Sequence, residues 1–117
     1  MKVYQIISDG GVDALEQAEC EKTSPGPHEV LVRIHASSIN YRDLSIVEDP
    51  VPRGVLYPRI PNSDGAGEII EIGSEVTRFK VGERVCGIFF QTWIDGDITT
   101  TDMNNALGGS VDGMLSQ

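Results

Sequence analysis

The sequence predicts a mainly β fold, a small β-barrel or folded-over sheet that carries one short helix. Two observations support this fold class: several short apolar runs are separated by turn-forming residues, and only one stretch begins with a helix-start signal. At 117 residues, the chain also has the length of a single domain with one core. We therefore treat residues 1–117 as one domain.

The first half of the chain contains three predicted strands. Residues 2–7 are rich in β-branched and aromatic side chains, and the Asp-Gly-Gly run at 9–11 ends them. Residues 14–20 have helix-favouring side chains, but they are few and lie between strand-like neighbours, so we predict a strand. After the rigid Pro-Gly-Pro turn at 25–27, residues 29–37 alternate between the two faces of a half-buried strand.

One short helix is predicted directly after this strand. Asn40 is a favourable N-cap, and Asp43 places an acid in the first turn of a helix over 41–47. The helix must end before Pro50, because the residue before a proline disfavours helical geometry. The proline-rich stretch 48–60 is then predicted to be a surface loop.

The run P-N-S-D-G-A-G-E-I-I-E-I-G at residues 61–73 is the stretch where we expect chemistry. Its Pro-Asn-Ser-Asp start favours a turn, and the apolar remainder favours a strand with isoleucines on both faces, which implies a bulge or burial on both sides. Gly65 and Gly67 permit two interpretations. They either admit a close backbone or ligand, or they only allow the strand to bend.

The last part of the chain changes in composition. Residues 85–90 form an apolar run that predicts a strand, whereas no Lys or Arg occurs after Arg84. Residues 91–117 are rich in Asp, Asn, Thr and Gly, which predicts an acidic, solvated and mobile segment. The sequence ends before another strand develops, so we expect it to be truncated.

Composition excludes several classes of partner. The net charge of −9 and the isoelectric point near 4.5 argue against nucleic-acid binding and against binding to anionic membranes, which rest on clustered Lys and Arg. Two cysteines without a C-x-x-C pair fit a reduced compartment. Because no signal peptide or membrane span is visible, we expect a cytoplasmic location.

Neither a metal site nor a nucleotide site is predicted from motifs. Cys20, Cys86, His28 and His35 are not spaced as metal ligands, so no zinc is expected. Residues 65–67 read Gly-Ala-Gly, but a strand-like run without a third glycine follows where a dinucleotide fingerprint needs a helix.

Four motifs in order resemble the N-terminal, GroES-like part of the medium-chain dehydrogenase/reductase superfamily. They are P-G-P-H-E-V-L-V-R-I at 25–34, S-I-N-Y-R-D at 38–43, D-G-A-G-E-I at 64–69 and F-K-V-G-E-R-V at 79–85. The resemblance covers nearly the whole chain. It implies a GroES-like, partly open β-barrel with one short helix.

Within that superfamily, the chain resembles the zinc-independent, quinone-oxidoreductase-like branch. Zinc-dependent members have a catalytic cysteine where this chain has Asn40, and a Gly-His-Glu where it has Asn-Ser-Asp at 62–64, so Ser63 replaces the histidine. The resemblance implies hydride transfer between NAD(P)H and a carbonyl, alcohol or quinone-type substrate. Without a metal, hydrogen-bond donors would stabilise the developing negative charge.

The candidate catalytic residues are Asn40, Tyr41 and Arg42, with Ser63 on the opposite wall. Two simpler roles stay open. Asn40 caps the helix, and Arg42 pairs with a nearby acid.

Members of the superfamily carry a Rossmann domain after this region, and a later part of the chain completes the catalytic domain. This implies that the present chain is a fragment that binds no NAD(P)H and is inactive alone, with the Rossmann domain as its missing partner and a small molecule as its substrate. The longer protein is expected to be a homodimer. The alternative is a non-enzymatic GroES-like binding or assembly module.

Overall fold

The computed structural model describes residues 1–117, and it confirms the predicted fold class: mainly β, with one helix longer than a single turn. A 3-10 turn lies between the first two strands. The elements in chain order are β1 (Lys2–Ile6), the 3-10 turn (Gly11–Ala14), β2 (Leu15–Glu19), β3 (Val30–Ser38), α1 (Tyr41–Glu48), β4 (Asp64–Ile72), β5 (Arg84–Cys86) and the short α2 (Thr100–Met103).

The strands form two antiparallel sheets and no closed barrel. β1 pairs with β2 across the register Lys2↔Glu19 to Ile6↔Leu15. The second sheet has the order β3-β4-β5. Isolated bridges join β1 to later parts of the chain: Ile6 pairs with Arg59, and Val3 pairs with Ser116. This is the partly open arrangement that the resemblance implied.

The bulge predicted from the isoleucines of β4 is present. The β3–β4 register shifts between Leu31 and Val32, opposite the isoleucine run, and again between Ile34 and Ala36. At Gly67, an added Cβ would collide with the backbone carbonyl of Arg33. Gly67 therefore serves the close approach of a neighbouring strand, which is one of the two interpretations that the sequence left open.

The largest apolar cluster lies between helix α1 and the first sheet. It consists of Ile6, Ile46, Val47 and Val55, all of them buried, with Leu15 packed against them. Ile46 and Val47 are consecutive residues of α1, so a single turn of helix supplies half of the cluster. The cluster holds α1 against the first sheet.

The buried carboxylate of Asp43 connects the start of α1 to the start of β4. Its Oδ2 accepts a hydrogen bond from the backbone N–H of Asn40 at 2.9 Å, and its Oδ1 accepts one from the backbone N–H of Ser63 at 3.2 Å. Only 2% of Asp43 is exposed. The predicted helix start is therefore correct, and its acid also fixes a distant turn.

Strand β5 is shorter than the sequence predicted, since it ends at Cys86 rather than at residue 90. Beyond Gly87, whose N–H still donates to the Gly65 carbonyl of β4, the backbone pairs with the last part of the chain instead of with β4. Phe90 bridges to Ala106, and the N–H of Leu107 donates to the carbonyl of Phe89 at 3.2 Å. The prediction of a strand was therefore wrong for residues 87–90.

The acidic segment 91–117 contains helix α2, which the sequence analysis missed. Thr99 caps this helix, and Asp102 accepts hydrogen bonds from Thr92 and Thr99 that lower the pKa of its carboxyl below the ordinary value. Further along, Ala106 and Leu107 are buried. The mobility of the segment stays a prediction. No helix of the chain has the length and apolar character that crossing a membrane requires.

We expect Asp43→Ala to destabilise the fold by about 2–4 kcal/mol, because two backbone N–H groups lose a charged acceptor at a site without water access. Urea unfolding monitored by circular dichroism measures the change in the free energy of unfolding. The matched control is Asp49→Ala at the exposed end of α1, where we expect a change of less than about 0.5 kcal/mol. Equal effects of the two substitutions would contradict the role of Asp43.

Candidate functional site

Three polar side chains meet where helix α1 and strand β4 begin. The carboxylate oxygen Oδ2 of Asp64 accepts hydrogen bonds from Nδ2 of Asn40 and from Oγ of Ser63, the latter at 3.1 Å. These side chains meet because Ser38, the last residue of β3, lies opposite Asp64, and only one residue separates Ser38 from the helix cap Asn40. We refer to Asn40, Ser63 and Asp64 as the polar cluster.

The members of the polar cluster differ in their access to solvent. Ser63 is 2% exposed, and its backbone is held by Asp43 as described above. Asn40 and Asp64 are half-buried. The second contact of the Asn40 amide nitrogen is to Oγ of Ser38, at 3.4 Å. Asn40 is therefore the cluster's N–H donor nearest to solvent.

Tyr41 occupies the first position of helix α1, beside the polar cluster. It is 84% exposed, more than any other large hydrophobic or aromatic residue of the chain. The adjacent Ile39 is 81% exposed. An aromatic ring and a branched apolar side chain thus project together from the surface on either side of Asn40.

Arg42 points away from the polar cluster, toward the last part of the chain. Its Nη1 donates to the backbone carbonyl of Leu107 at 2.6 Å and lies 3.7 Å from Oδ1 of Asp43. Its guanidinium stacks over the ring of Phe89, 4.8 Å from the ring centre. Burial lowers the pKa of Arg42, and the carboxylates of Asp43 and Asp64 partly offset that effect.

Asn62 precedes the polar cluster in a left-handed conformation. Its φ is 72°, the only positive value at a residue other than glycine, and its side chain donates to Oγ of Ser37 at 3.0 Å. A Cβ added at Gly108 would lie 2.7 Å from the Asn62 backbone, and one at Gly113 would collide with it. The turn is thus buried beneath the chain that returns over it.

The structure brings together two of the four predicted site residues. Asn40 and Ser63 both contact Asp64, whereas Tyr41 faces solvent and Arg42 contacts Leu107. Asp64 was missed as a member of the site. A signal for it was present, because it stands where zinc-dependent members of the superfamily have the glutamate of their Gly-His-Glu.

The polar cluster does not fit a zinc ion. The ligands that zinc prefers are thiolate, imidazole and carboxylate, and here an amide N–H and a hydroxyl both point their hydrogens at the one carboxylate. The chain also contains no group of three His, Cys, Asp or Glu side chains that could hold a metal ion. We therefore derive no catalytic step through a metal.

The two glycines at the mouth of β4 do not form a nucleotide cradle. A Cβ at Gly65 would lie 2.6 Å from Sδ of Met114, and the space beside Gly67 is filled by the Arg33 carbonyl. Backbone approach to a pyrophosphate needs that space to be open. The residues of this chain therefore do not fit a dinucleotide there.

A large cavity lies elsewhere, on the apolar face of the second sheet. Its volume is about 740 Å³, and its lining includes Val32, Ile69, Phe79, Val85 and Met114. None of the four predicted site residues lines it. The sheet thus has a large uncovered apolar face that is separate from the polar cluster.

Comparison with known proteins establishes the family. The family model described as the alcohol dehydrogenase GroES-like domain matches residues 26–117. The chain therefore belongs to the alcohol dehydrogenase GroES-like domain family, within the medium-chain dehydrogenase/reductase superfamily.

Several relatives align over most of the chain. A zinc-type alcohol dehydrogenase-like protein of Schizosaccharomyces pombe is 42% identical over 100% of this chain and 35% of its own length. The crystal structure of a putative alcohol dehydrogenase from Sinorhizobium meliloti matches with a TM-score of 0.85 and 33% identity, covering 98% of this chain and 34% of that one. Escherichia coli quinone oxidoreductase complexed with NADPH matches with a TM-score of 0.68 and 26% identity over 74% of this chain and 26% of that one.

The chain spans about a third of the length of the first two of these proteins. The relatives are oxidoreductases, and this chain corresponds to their N-terminal part. The ligand binding and the reactions of the whole proteins therefore involve more sequence than the 117 residues described here.

We expect Asn62→Ala to destabilise the chain more than Asn62→Gly, by about 1 kcal/mol, because only glycine adopts the left-handed conformation without steric cost. Both variants lose the hydrogen bond to Ser37, so the difference between them isolates the backbone term. Thermal unfolding of the two variants and the parent chain gives the comparison. If alanine proves as stable as glycine at this position, the turn is not held in the left-handed region.

Proposed function

We propose that residues 1–117 are the substrate-cleft domain of an NAD(P)-dependent oxidoreductase. The reaction is hydride transfer between a nicotinamide cofactor and a carbonyl, alcohol or quinone-type substrate. The chain contributes one wall of the cleft and is inactive alone. The family membership and the coverage of about a third of the relatives support this division of labour.

The convergence of Asn40 and Ser63 on Asp64 is the observation that carries the proposal. These residues occupy the positions at which zinc-dependent members of the superfamily place metal ligands and a glutamate. A metal-free site at the same place needs hydrogen-bond donors for a substrate oxygen that becomes negatively charged. The wall of this chain offers such donors.

We assign the direct contacts with substrate to Tyr41 and Asn40. The Tyr41 ring projects from the surface, so its hydroxyl is open to a ligand, and Asn40 has an N–H with only a long contact to Ser38. We assign supporting roles to Arg42 and Ser63. The Arg42 guanidinium is committed to the Leu107 carbonyl and the Phe89 ring, and Ser63 is buried.

When bound, NAD(P)H supplies or accepts the hydride, and we propose that a Rossmann domain beyond residue 117 binds it. The space beside the two glycines of β4 is filled, so they cannot receive a dinucleotide, which supports that assignment. The E. coli relative, whose crystal structure is a complex with NADPH, supports it as well. This chain's residues orient the substrate and stabilise its oxygen. The exposed Ile39 and Tyr41 favour a wall that another domain covers. A homodimer and a cytoplasmic location of the longer protein belong to the same proposal.

A chimera tests the proposed function. Residues 1–117 replace the corresponding third of the S. pombe relative, and NAD(P)H oxidation is measured with a quinone and with an aldehyde as acceptor. We expect activity from the chimera and none from the 117-residue chain alone, since only the chimera has a nucleotide site. The intact relative and its remaining two-thirds serve as positive and negative controls.

Two results would contradict the proposal. One is NAD(P)H oxidation above background by the 117-residue chain itself. The other is a folded chimera without activity while the intact relative turns over, which would favour the alternative of a GroES-like binding or assembly module.

We expect Tyr41→Phe in the chimera to lower kcat by about 10- to 100-fold, because a donor to the substrate oxygen is lost in the transition state. The unfolding temperature should not change, since the side chain is exposed. Tyr4→Phe, at another exposed tyrosine, is the matched control and should leave kcat unchanged. An unchanged kcat in Tyr41→Phe would remove this residue from the site.

A further inference from the structure

We propose that Asp64 is the positioning residue of this wall: its carboxylate orients the carboxamide of Asn40, so that one Asn40 N–H is left facing the substrate oxygen. This inference rests on the proposed function, because it assigns an orientation to a group of the same site. It also gives the buried Ser63 a definite task, which is to hold the Asp64 carboxylate.

The hydrogen bonds of Asn40 are unequal, and this inequality decides which N–H is free. Nδ2 makes a short bond to Oδ2 of Asp64 and a 3.4 Å contact to Oγ of Ser38. A hydrogen bond to a charged acceptor is stronger than one to a hydroxyl, and 3.4 Å is long for any N–H···O bond. A substrate oxygen therefore displaces Ser38 and not Asp64.

The geometry of a carboxamide makes the bond to Asp64 directional. The two N–H groups of a primary amide lie in one plane at a fixed angle, so that fixing one of them fixes the other. Asp64 thereby aims the second N–H, which points toward the exposed Ser38. A preoriented donor costs no reorganisation when charge develops on the substrate.

Asp64 is itself held from three sides. Its Oδ2 accepts from Ser63 Oγ at 3.1 Å, its backbone carbonyl accepts from Ser37 Oγ at 2.9 Å, and its backbone pairs with Ser38 across the sheet. Ser63 is 2% exposed, so it reaches a substrate only through Asp64. Ser63 therefore holds Asp64, and Asp64 orients Asn40. Both contacts lie at the end of a strand pair, where the backbone is rigid.

A double-mutant cycle in the chimera tests this order. The substitutions are Asp64→Ala and Asn40→Ser, and the serine keeps a residue that caps helices well while it removes the carboxamide. Asp64→Ala should lower kcat by about 10- to 100-fold, with KM changed less than about threefold. In the Asn40→Ser background, Asp64→Ala should cause no further loss, because the group that it orients is gone.

The control for lost charge is Asp97→Ala in an exposed turn, which should leave kcat unchanged. Asp64→Asn keeps an acceptor oxygen for both donors and should retain most of the activity. Additive losses in the cycle, or an unchanged kcat in Asp64→Ala, would overturn the positioning role of Asp64. In that case an active parent chimera would still support the proposed function. An inactive parent chimera would instead count against the proposed function alone.

A second readout does not depend on activity. In the ¹⁵N spectrum of the 117-residue chain, one side-chain amide proton of Asn40 should be shifted downfield from its position in a free carboxamide and protected from exchange with solvent. Asp64→Ala should return that proton to its free-carboxamide shift and remove the protection, and Ser63→Ala should do so in part. Asn40 amide signals that do not respond to Asp64→Ala would overturn the inference.

Discussion

The buried carboxylate of Asp43 is the constraint on which the rest of the site depends. A carboxylate removed from water must find partners within the protein, and here it finds them in the backbone N–H groups of Asn40 and Ser63. These two groups belong to the start of the helix and to the turn before β4. One side chain thus holds the start of the helix and the turn before β4 at a fixed separation, and the polar cluster forms between them.

The polar cluster is held together by hydrogen bonds to a single carboxylate. Asn40 and Ser63 stand where other members of the superfamily have cysteine and histidine, and both now donate to Asp64. The carboxylate of Asp64 is the one acceptor that the two donors share. The neighbouring Arg42 donates to the Leu107 carbonyl, so under the proposed function the donors available to a substrate are those of Asn40 and Tyr41.

The returning segment of the chain explains several residues that would otherwise look unrelated. Gly108 and Gly113 let the chain cross the Asn62 backbone, Gly65 receives the Met114 side chain, and Arg42 bonds the Leu107 carbonyl. Each of these contacts joins residues far apart in sequence. Together they place residues 106–115 over Pro61 and Asn62, directly before the buried Ser63.

The sequence by itself determined the fold class, the positions of β1 to β4 and α1, and the family resemblance. It could do so because short-range rules carry that information: alternation in β3, an N-cap with an acid three residues later at Asn40, and prolines after the helix. Two members of the polar cluster were also predicted, since they stand at positions that a motif marks. Only the tertiary structure decided the end of β5 and the part played by Asp64. Phe89 and Phe90 pair with residues near 106, and the motif position that marks Asp64 does not reveal that Asn40 and Ser63 both donate to its carboxylate. Both facts depend on contacts between distant segments, which no local pattern encodes.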